Sequence, residues 1–291
     1  MLRFTIWATL LPVVGCTSAP NAVMERELEL FAESKTPGVV CVAYQDLGSS
    51  TWATVDADRV LHAASTMKVP VMIEAFRQID AGKLSLDQQV QIRNSFASIV
   101  DGSEYELSPD DDSDAELYDA VGETRALGEL VDRMITRSSN LATNLVIAMV
   151  DPREVQKTIE LLGTRQMKVL RGVEDGKAYR AGLSNTATAR DLAILMAAIA
   201  RGEAASPGSC RRMIDILAAQ EFNTMIPAGL PAGTRIAHKT GMITRIHHDA
   251  AIVYPGDDRP YVLVVLTANW DDPDESARVV AEVARIVHAQ R

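Results

Sequence analysis

Ser65 and Lys68 stand three residues apart at the head of an apolar run, a spacing that suits nucleophilic catalysis. A serine hydroxyl attacks poorly until a neighbour takes its proton. Residues three apart share a helix face, so the Lys68 amine can come within reach of Ser65 Oγ. His62-Ala63-Ala64 reads as a loop leading into Ser65, and Val69-Pro70-Val71-Met72-Ile73 opens a helix running to about Ile79. Pro70 fits only in a first turn, which puts Ser65 at the helix N-terminus. Free backbone N–H groups and the helix dipole favour developing negative charge there. Alone the pair is a common coincidence. Two further stations follow it, Ser138-Ser139-Asn140 and Lys239-Thr240-Gly241. A lysine base working near pH 7 must be depressed from about 10.4, and burial beside a second cation such as Lys239 pushes that way.

Behind these residues stands a chain of 291 residues, 47% hydrophobic, enough for one sizeable domain or two intimate ones. A formal net charge of −10, no basic stripe and only 5% aromatics exclude nucleic-acid binding by phosphate contacts or base stacking. His62, His238, His247, His248 and His288 are too scattered for a metal site, so neither metal nor cofactor is expected. Met1-Leu2-Arg3 and the apolar run Phe4 to Val14 read as a targeting segment, too short to span a bilayer as a mature helix. Val13-Val14-Gly15-Cys16 resembles a bacterial lipobox, which implies a signal peptide over 1–15 and lipidation of Cys16. A tether over 16–23 would then hold a monomeric, exported domain at the cell envelope. The bland alternative is an ordinary cleaved signal peptide with an incidental cysteine. Cys41 reads as a buried strand residue and Cys210 as the start of a helix; a disulfide between them stays open.

The pattern predicts helices over 24–34, 126–136, 140–150, 152–162, 188–201, 209–219 and 274–290, with Thr186 as a candidate cap. A hairpin is expected from 39–44 and 51–55, and strands return at 234–239, 250–254 and 261–267. Strands at both chain ends imply an α/β fold of the α+β type, an antiparallel sheet flanked by helices with an all-helical insertion. The sheet domain would comprise 24–64 and 225–291 and the helical domain 65–224, the site lying between them. The acidic stretch 101–123 reads as a solvated loop with a short helix. A Ca²⁺ loop is the sharper alternative, but the glycine and closing glutamate of an EF-hand are missing.

The three stations, in this order and spacing, resemble class A β-lactamases and penicillin-binding transpeptidases. The run Met134-Ile135-Thr136-Arg137-Ser138-Ser139-Asn140-Leu141-Ala142-Thr143-Asn144-Leu145 looks strongly class A-like. The resemblance covers nearly all of the mature chain and implies the serine β-lactamase-like fold. It implies that Ser65 is acylated, Lys68 takes its proton, and Ser138 relays a proton to the leaving nitrogen. Lys239 would hold Ser138 and attract a substrate carboxylate that Thr240 contacts, and Asn140 would bond the acylamide. The backbone N–H groups of Ser65 and Met242, just after Gly241, would form the oxyanion hole, where a lost donor costs roughly 3–4 kcal/mol.

Three departures stand out. Ser139 occupies a position where class A enzymes usually carry aspartate, so a structural carboxylate is missing. His248 fills the place of a carboxylate-binding arginine, with Arg245 as a nearby substitute. The loop that should carry the water-activating glutamate reads Leu170-Arg171-Gly172-Val173-Glu174-Asp175-Gly176 and lacks the family's pattern. Glu174 is the first candidate for that base, Asp175 the second, and a simple pairing of Glu174 with Arg171 the alternative. The expected activity is β-lactam hydrolysis. A D-Ala-D-Ala carboxypeptidase or esterase, and a penicillin-binding receptor that stays acylated, are the other readings.

Overall fold

The structure, a computed structural model, describes residues 21–256 and 259–291. The targeting segment and Cys16 lie outside the described residues. After helix α1 (Ala22–Glu33), strands β1 (Val39–Asp46) and β2 (Trp52–Val55) form the expected hairpin, paired Val42 to Val55. A 3₁₀ turn, Ala64–Met67, runs directly into α2 (Lys68–Asp80). The helical block continues through α3 (Leu127–Thr136), α4 (Asn140–Val150), α5 (Pro152–Leu161), α6 (Gly176–Arg180), α7 (Ala189–Arg201) and α8 (Pro207–Ala218). Strands β3 (Arg235–Ile243), β4 (Ile246–Tyr254) and β5 (Tyr261–Ala268) then precede α9 (Pro273–Gln290). The cap of α7 is Thr188, whose hydroxyl accepts from Asp191 N; Thr186 instead pairs with His62 in a short ladder.

The five strands form one antiparallel sheet in the order β2-β1-β5-β4-β3. Its central strand β5 is buried at all eight positions because both faces are covered. The period of two sorts β1 between two cores. Val40, Val42 and Tyr44 meet Met24 and Leu28 of α1 and Val279 and Val283 of α9, whereas Cys41 and Ala43 meet the helical block. Cys41 and Cys210 are both buried free thiols, so no disulfide joins them.

The acidic stretch is more structured than its composition suggests. It carries a short ladder between Phe96–Ala97 and Glu104–Tyr105 and 3₁₀ turns at Pro109–Asp111 and Ala115–Ala120. Asp112 and Asp114 are buried, so the solvated-loop expectation fails at these two positions. Asp114 accepts from Arg133 and Arg137, two cations that flank the end of α3.

His248 also departs from expectation, and it ties the sheet to the Ser65 turn. Register places it opposite Gly241 and Leu266, fully buried on the face toward the helices. Its Nε2 lies 2.9 Å from the His62 carbonyl, and its Nδ1 accepts from Thr267 N at 3.2 Å. Both ring nitrogens are thus occupied by backbone, and His248 cannot bind a substrate carboxylate. The His62 ring then accepts from Ala64 N at 3.0 Å, one residue before Ser65.

Burial holds His248 neutral, with its pKa pushed from 6.5 down to about 4. Between those values the unfolded chain binds a proton that the folded one refuses, so stability falls as pH drops from 6.5 and levels off below 4. Urea denaturation at pH 7 and pH 4 should therefore show about 3 kcal/mol of acid-side loss from this residue. The His248→Gln variant, weaker at pH 7, should show a correspondingly shallower decline; equal slopes would refute the assignment.

Candidate active site

The turn that carries Ser65 is fixed from several sides. Ala64 sits at φ +45°, a strained value for a residue with a Cβ, and its amide is held by His62. Ala63 N donates to Asn185 O, and Thr66 Oγ1 donates to Ala63 O at 2.6 Å. Strand β3 passes so close that a Cβ on Gly241 would lie 3.1 Å from the backbone nitrogens of both Ser65 and Thr66. A glycine here lets the strand bring Met242 beside the Ser65 turn. Met242 itself is exposed, as suits a backbone at a cleft edge.

Lys68, first residue of α2, is fully buried. Its Nζ donates to Ser138 O (2.5 Å), Ser138 Oγ (3.2 Å) and Asn140 Oδ1 (2.9 Å). From β3, the equally buried Lys239 donates to the same Ser138 Oγ at 3.0 Å and to Thr240 O at 3.0 Å. Two lysines thus meet on one hydroxyl. Ser138 takes φ +57°, the left-handed value that turns the chain between α3 and α4 and aims its side chain at both. Among the described residues, Lys68 makes no hydrogen bond to Ser65 Oγ; its donors are engaged with the second station. Ser65, Lys68, Ser138, Asn140, Lys239, Thr240 and Gly241 therefore gather around one point, although their sequence separation exceeds a hundred residues.

Burial pushes Lys68 from 10.5 to about 7, against the opposing charges of Asp112 and Glu174. Lys239 is pushed well below its ordinary value by burial and by Lys68, while Asp249 opposes. Asp249 lies on the other face of the sheet, where it accepts from Ile226 N at 3.0 Å and pairs with His238 Nδ1 at 2.9 Å. Two cations at this spacing repel strongly at low dielectric. The cluster is therefore built to hold at least one neutral amine near neutral pH. A neutral Lys68 has a lone pair that can accept from Ser138 Oγ, which gives a path for a proton between the two stations.

The loop bearing Glu174 is clamped at both ends. Asp191 accepts from three successive amides, Arg165, Gln166 and Met167, at 2.7–2.9 Å. The Asn185 side chain accepts from Leu170 N and Arg171 N and donates to Arg171 O. On α4, Asn144 Oδ1 accepts from Val173 N at 2.7 Å, so tightly that a Cβ on Gly172 would lie 2.2 Å from it. On the far side, Asp175 accepts from Ser98 Oγ, Ile99 N and Ala178 N, each at 3.0 Å. Burial would raise the Asp175 pKa, but these bonds outweigh it and lower it. Asp175 is a loop clamp and a helix cap rather than a free base.

Glu174, caught between these clamps at φ +61°, makes no hydrogen bond or ion pair among the described residues. Its pairing with Arg171 does not form; that guanidinium bonds Leu183 O and Gly172 O. Desolvation and the nearby Asp111 raise the Glu174 pKa, with Lys68 and Arg171 opposing. A carboxylate with free lone pairs, a raised pKa and electrostatic coupling to Lys68 is equipped to accept a proton from water.

Arg245 occupies the β3–β4 turn at φ +63°, half-exposed and paired with Asp271 at 2.8 Å. Among the described residues no contact brings it to the lysine cluster. The carboxylate missing from the second station is supplied from elsewhere. Asp112 accepts from Asn140 N at 2.9 Å and Leu141 N at 2.9 Å, while Ser139 Oγ caps Ala142 N at 3.2 Å. Only its place in the acidic stretch, directly after the Pro109–Asp111 turn and six residues before Tyr118, hinted at this role.

Known proteins resemble this chain over most of its length. A curated beta-lactamase of Streptomyces albus G is 25% identical over 293 residues, covering 96% of this chain and 91% of its own. A mutant of PBP-A, solved as an acyl-enzyme complex with penicillin-G, superposes with a TM-score of 0.78 at 27% identity, over 92% of this chain and 95% of that one. An ancestral (GNCA) class A beta-lactamase gives a TM-score of 0.79 at 25% identity, over 92% and 100%. The sequence model of the beta-lactamase enzyme family matches residues 23–290, and the chain belongs to that family.

Proposed function

We propose that this hydrolase opens the amide of β-lactams through a covalent acyl-enzyme on Ser65. The observation that carries the reading is the convergence of two buried lysines on Ser138 Oγ, directly beside the Ser65 turn. Neutral Lys68 takes the Ser65 proton as Oγ attacks the lactam carbonyl. The tetrahedral oxyanion is received by the N–H groups of Ser65 and Met242. Lys68 returns the proton through Ser138 Oγ to the lactam nitrogen as the C–N bond breaks. Glu174 then takes a proton from water, whose oxygen attacks the acyl carbonyl; as the ester C–O bond breaks, Ser65 Oγ departs and receives the proton that Glu174 gives back. Lys239 and Thr240 hold the substrate carboxylate, without help from His248 or Arg245. Asn140 Oδ1 faces Lys68, which leaves its amide N–H₂ for the acylamide carbonyl.

Turnover of a chromogenic cephalosporin tests the reading. Wild type should hydrolyse it, and Ser65→Ala should lose at least about 10³-fold in kcat/KM. Glu174→Gln should still acquire a penicillin adduct on intact-mass analysis but release it about a hundredfold or more slowly. A wild-type adduct that never clears would make the chain a penicillin-binding protein instead, and D-alanine release from a cell-wall peptide would select the carboxypeptidase.

Because the base form of Lys68 dominates above about pH 7, acylation should rise with pH and level off above that value. Pre-steady-state acylation between pH 5 and pH 9 measures this; a flat profile would exclude Lys68 as the base. We also propose export with a lipid anchor at Cys16, supported by the lipobox-like Val13-Val14-Gly15-Cys16. Cys16→Ser should then shift the protein from the membrane to the soluble fraction on cell fractionation, and an unchanged distribution would refute the anchor.

A further inference from the structure

Asp112 is 9% exposed, and four donors converge on its carboxylate. They are Asn140 N (2.9 Å), Leu141 N (2.9 Å), Asp114 N (3.1 Å) and the Tyr118 hydroxyl (3.0 Å). The first two belong to the opening turn of α4, where unpaired amides and the helix dipole favour an anion. Asn140 is also the residue whose Oδ1 holds Lys68 Nζ at 2.9 Å. An unbroken line of contacts therefore runs from a loop carboxylate, through one residue, to the candidate base. Tyr118 and Asp114 belong to the same loop, so the bonds that seat Asp112 also fold the wall it comes from. Asp114 is neutralised by Arg133 and Arg137 at 2.8 and 3.2 Å, which leaves Asp112 as the buried anion nearest the α4 turn.

We propose that Asp112 is a positioning residue for acylation, which fixes Asn140 and through it Lys68, so that the 101–123 loop must be folded for the base to be aligned. The proposal rests on Ser65 acylation as described above. It assigns a task to a carboxylate that reaches the second station from 28 residues upstream of Asn140, and it couples a cleft wall to the chemistry. The charged groups facing Lys68 are Lys239 from β3, Glu174 from its clamped loop and Asp112 itself. Removing only the charge of Asp112 leaves Lys239 unopposed from this side, so the Lys68 cation loses support.

Two variants separate positioning from mere stability. Asp112→Asn keeps the shape and one acceptor oxygen, and Asp112→Ala keeps neither. Acylation by penicillin is followed by quenched intact-mass analysis across pH, beside thermal denaturation and hydrogen exchange at the 139–142 amides. The expected result is a roughly tenfold loss of acylation rate in Asp112→Asn, with its acid limb moved to lower pH. Asp112→Ala should lose about a hundredfold, with faster exchange at Asn140 and Leu141. Wild-type acylation rates and an unmoved pH limb in both variants, alongside a lowered Tm, would overturn the proposal. Absence of any adduct on wild type would instead defeat the acylation reading. In that case, unchanged exchange at Asn140 and Leu141 in Asp112→Ala would defeat the positioning of Asn140 separately.

Discussion

Two lysine side chains buried against a single serine hydroxyl form the constraint on which the rest of the structure depends. Stripping an ammonium of water is costly, and a second one nearby adds repulsion that low dielectric does little to screen. The fold answers in two ways. It supplies acceptors, so that Lys68 finds Ser138 O, Ser138 Oγ and Asn140 Oδ1, and Lys239 finds Ser138 Oγ and Thr240 O. It also surrounds the pair with carboxylates held at a distance: Asp112 and Glu174 on the Lys68 side, Asp249 behind Lys239. None of these forms a direct salt bridge with either lysine among the described residues. A direct bridge would hold the lysine protonated and remove its use as a base. Distance keeps the amines poised, and backbone geometry enforces the distance.

That enforcement explains why unusual backbone gathers here. Ala64, Ser138 and Glu174 all adopt positive φ without being glycine. Each costs of order 1–3 kcal/mol, tolerable only where neighbours over-determine the conformation. At Ala64 the neighbour is the His62 ring, itself reached by His248. At Glu174 the neighbours are Asn144 and Asp175 on either side. Strain at the Ser65 turn and at the loop of the candidate base is thus supported from the sheet and from α4. The supporting residues hold their partners by direct hydrogen bonds that are wholly or partly buried, so they transmit position without flexible intermediates.

The chemistry-bearing stations were legible in the sequence because each is short and contiguous, and because Pro70 and the apolar run mark where α2 begins. The sheet was legible because β4 carries the apolar run Ala250–Val253 and β5 the run Val262–Leu266, as strands covered on both faces do. Three things were hidden, each for a physical reason. His248 has the residue type of a ligand-binding cation, but pairing with β5 places it inward, where burial forbids charge. Asp112 sits among so many carboxylates that composition reads as solvated surface, although a single one turns in to meet the α4 amides. Thr186 and Thr188 are equivalent as cap residues, and only the ladder with His62 removes the first from contention.

Placing an essential carboxylate on a loop instead of within the second station has a consequence for how the cleft works. A carboxylate on α4 itself would be fixed once the helix formed. One delivered by residues 101–123 depends on the Tyr118 hydroxyl and on the Asp114 bonds to α3. The same loop touches Asn140 through Asp112 and the Glu174 loop through Tyr105, whose hydroxyl donates to Val173 O at 3.2 Å, while Ser98 and Ile99 just before it hold Asp175. The proposed acylation and deacylation groups sit on opposite sides of it and share its order. Anything that loosens the loop would misplace both sets of groups together, whereas a change confined to the 163–175 segment would affect one. The acidic stretch is a structural hub of the site because its few buried polar contacts join the two halves of the chemistry.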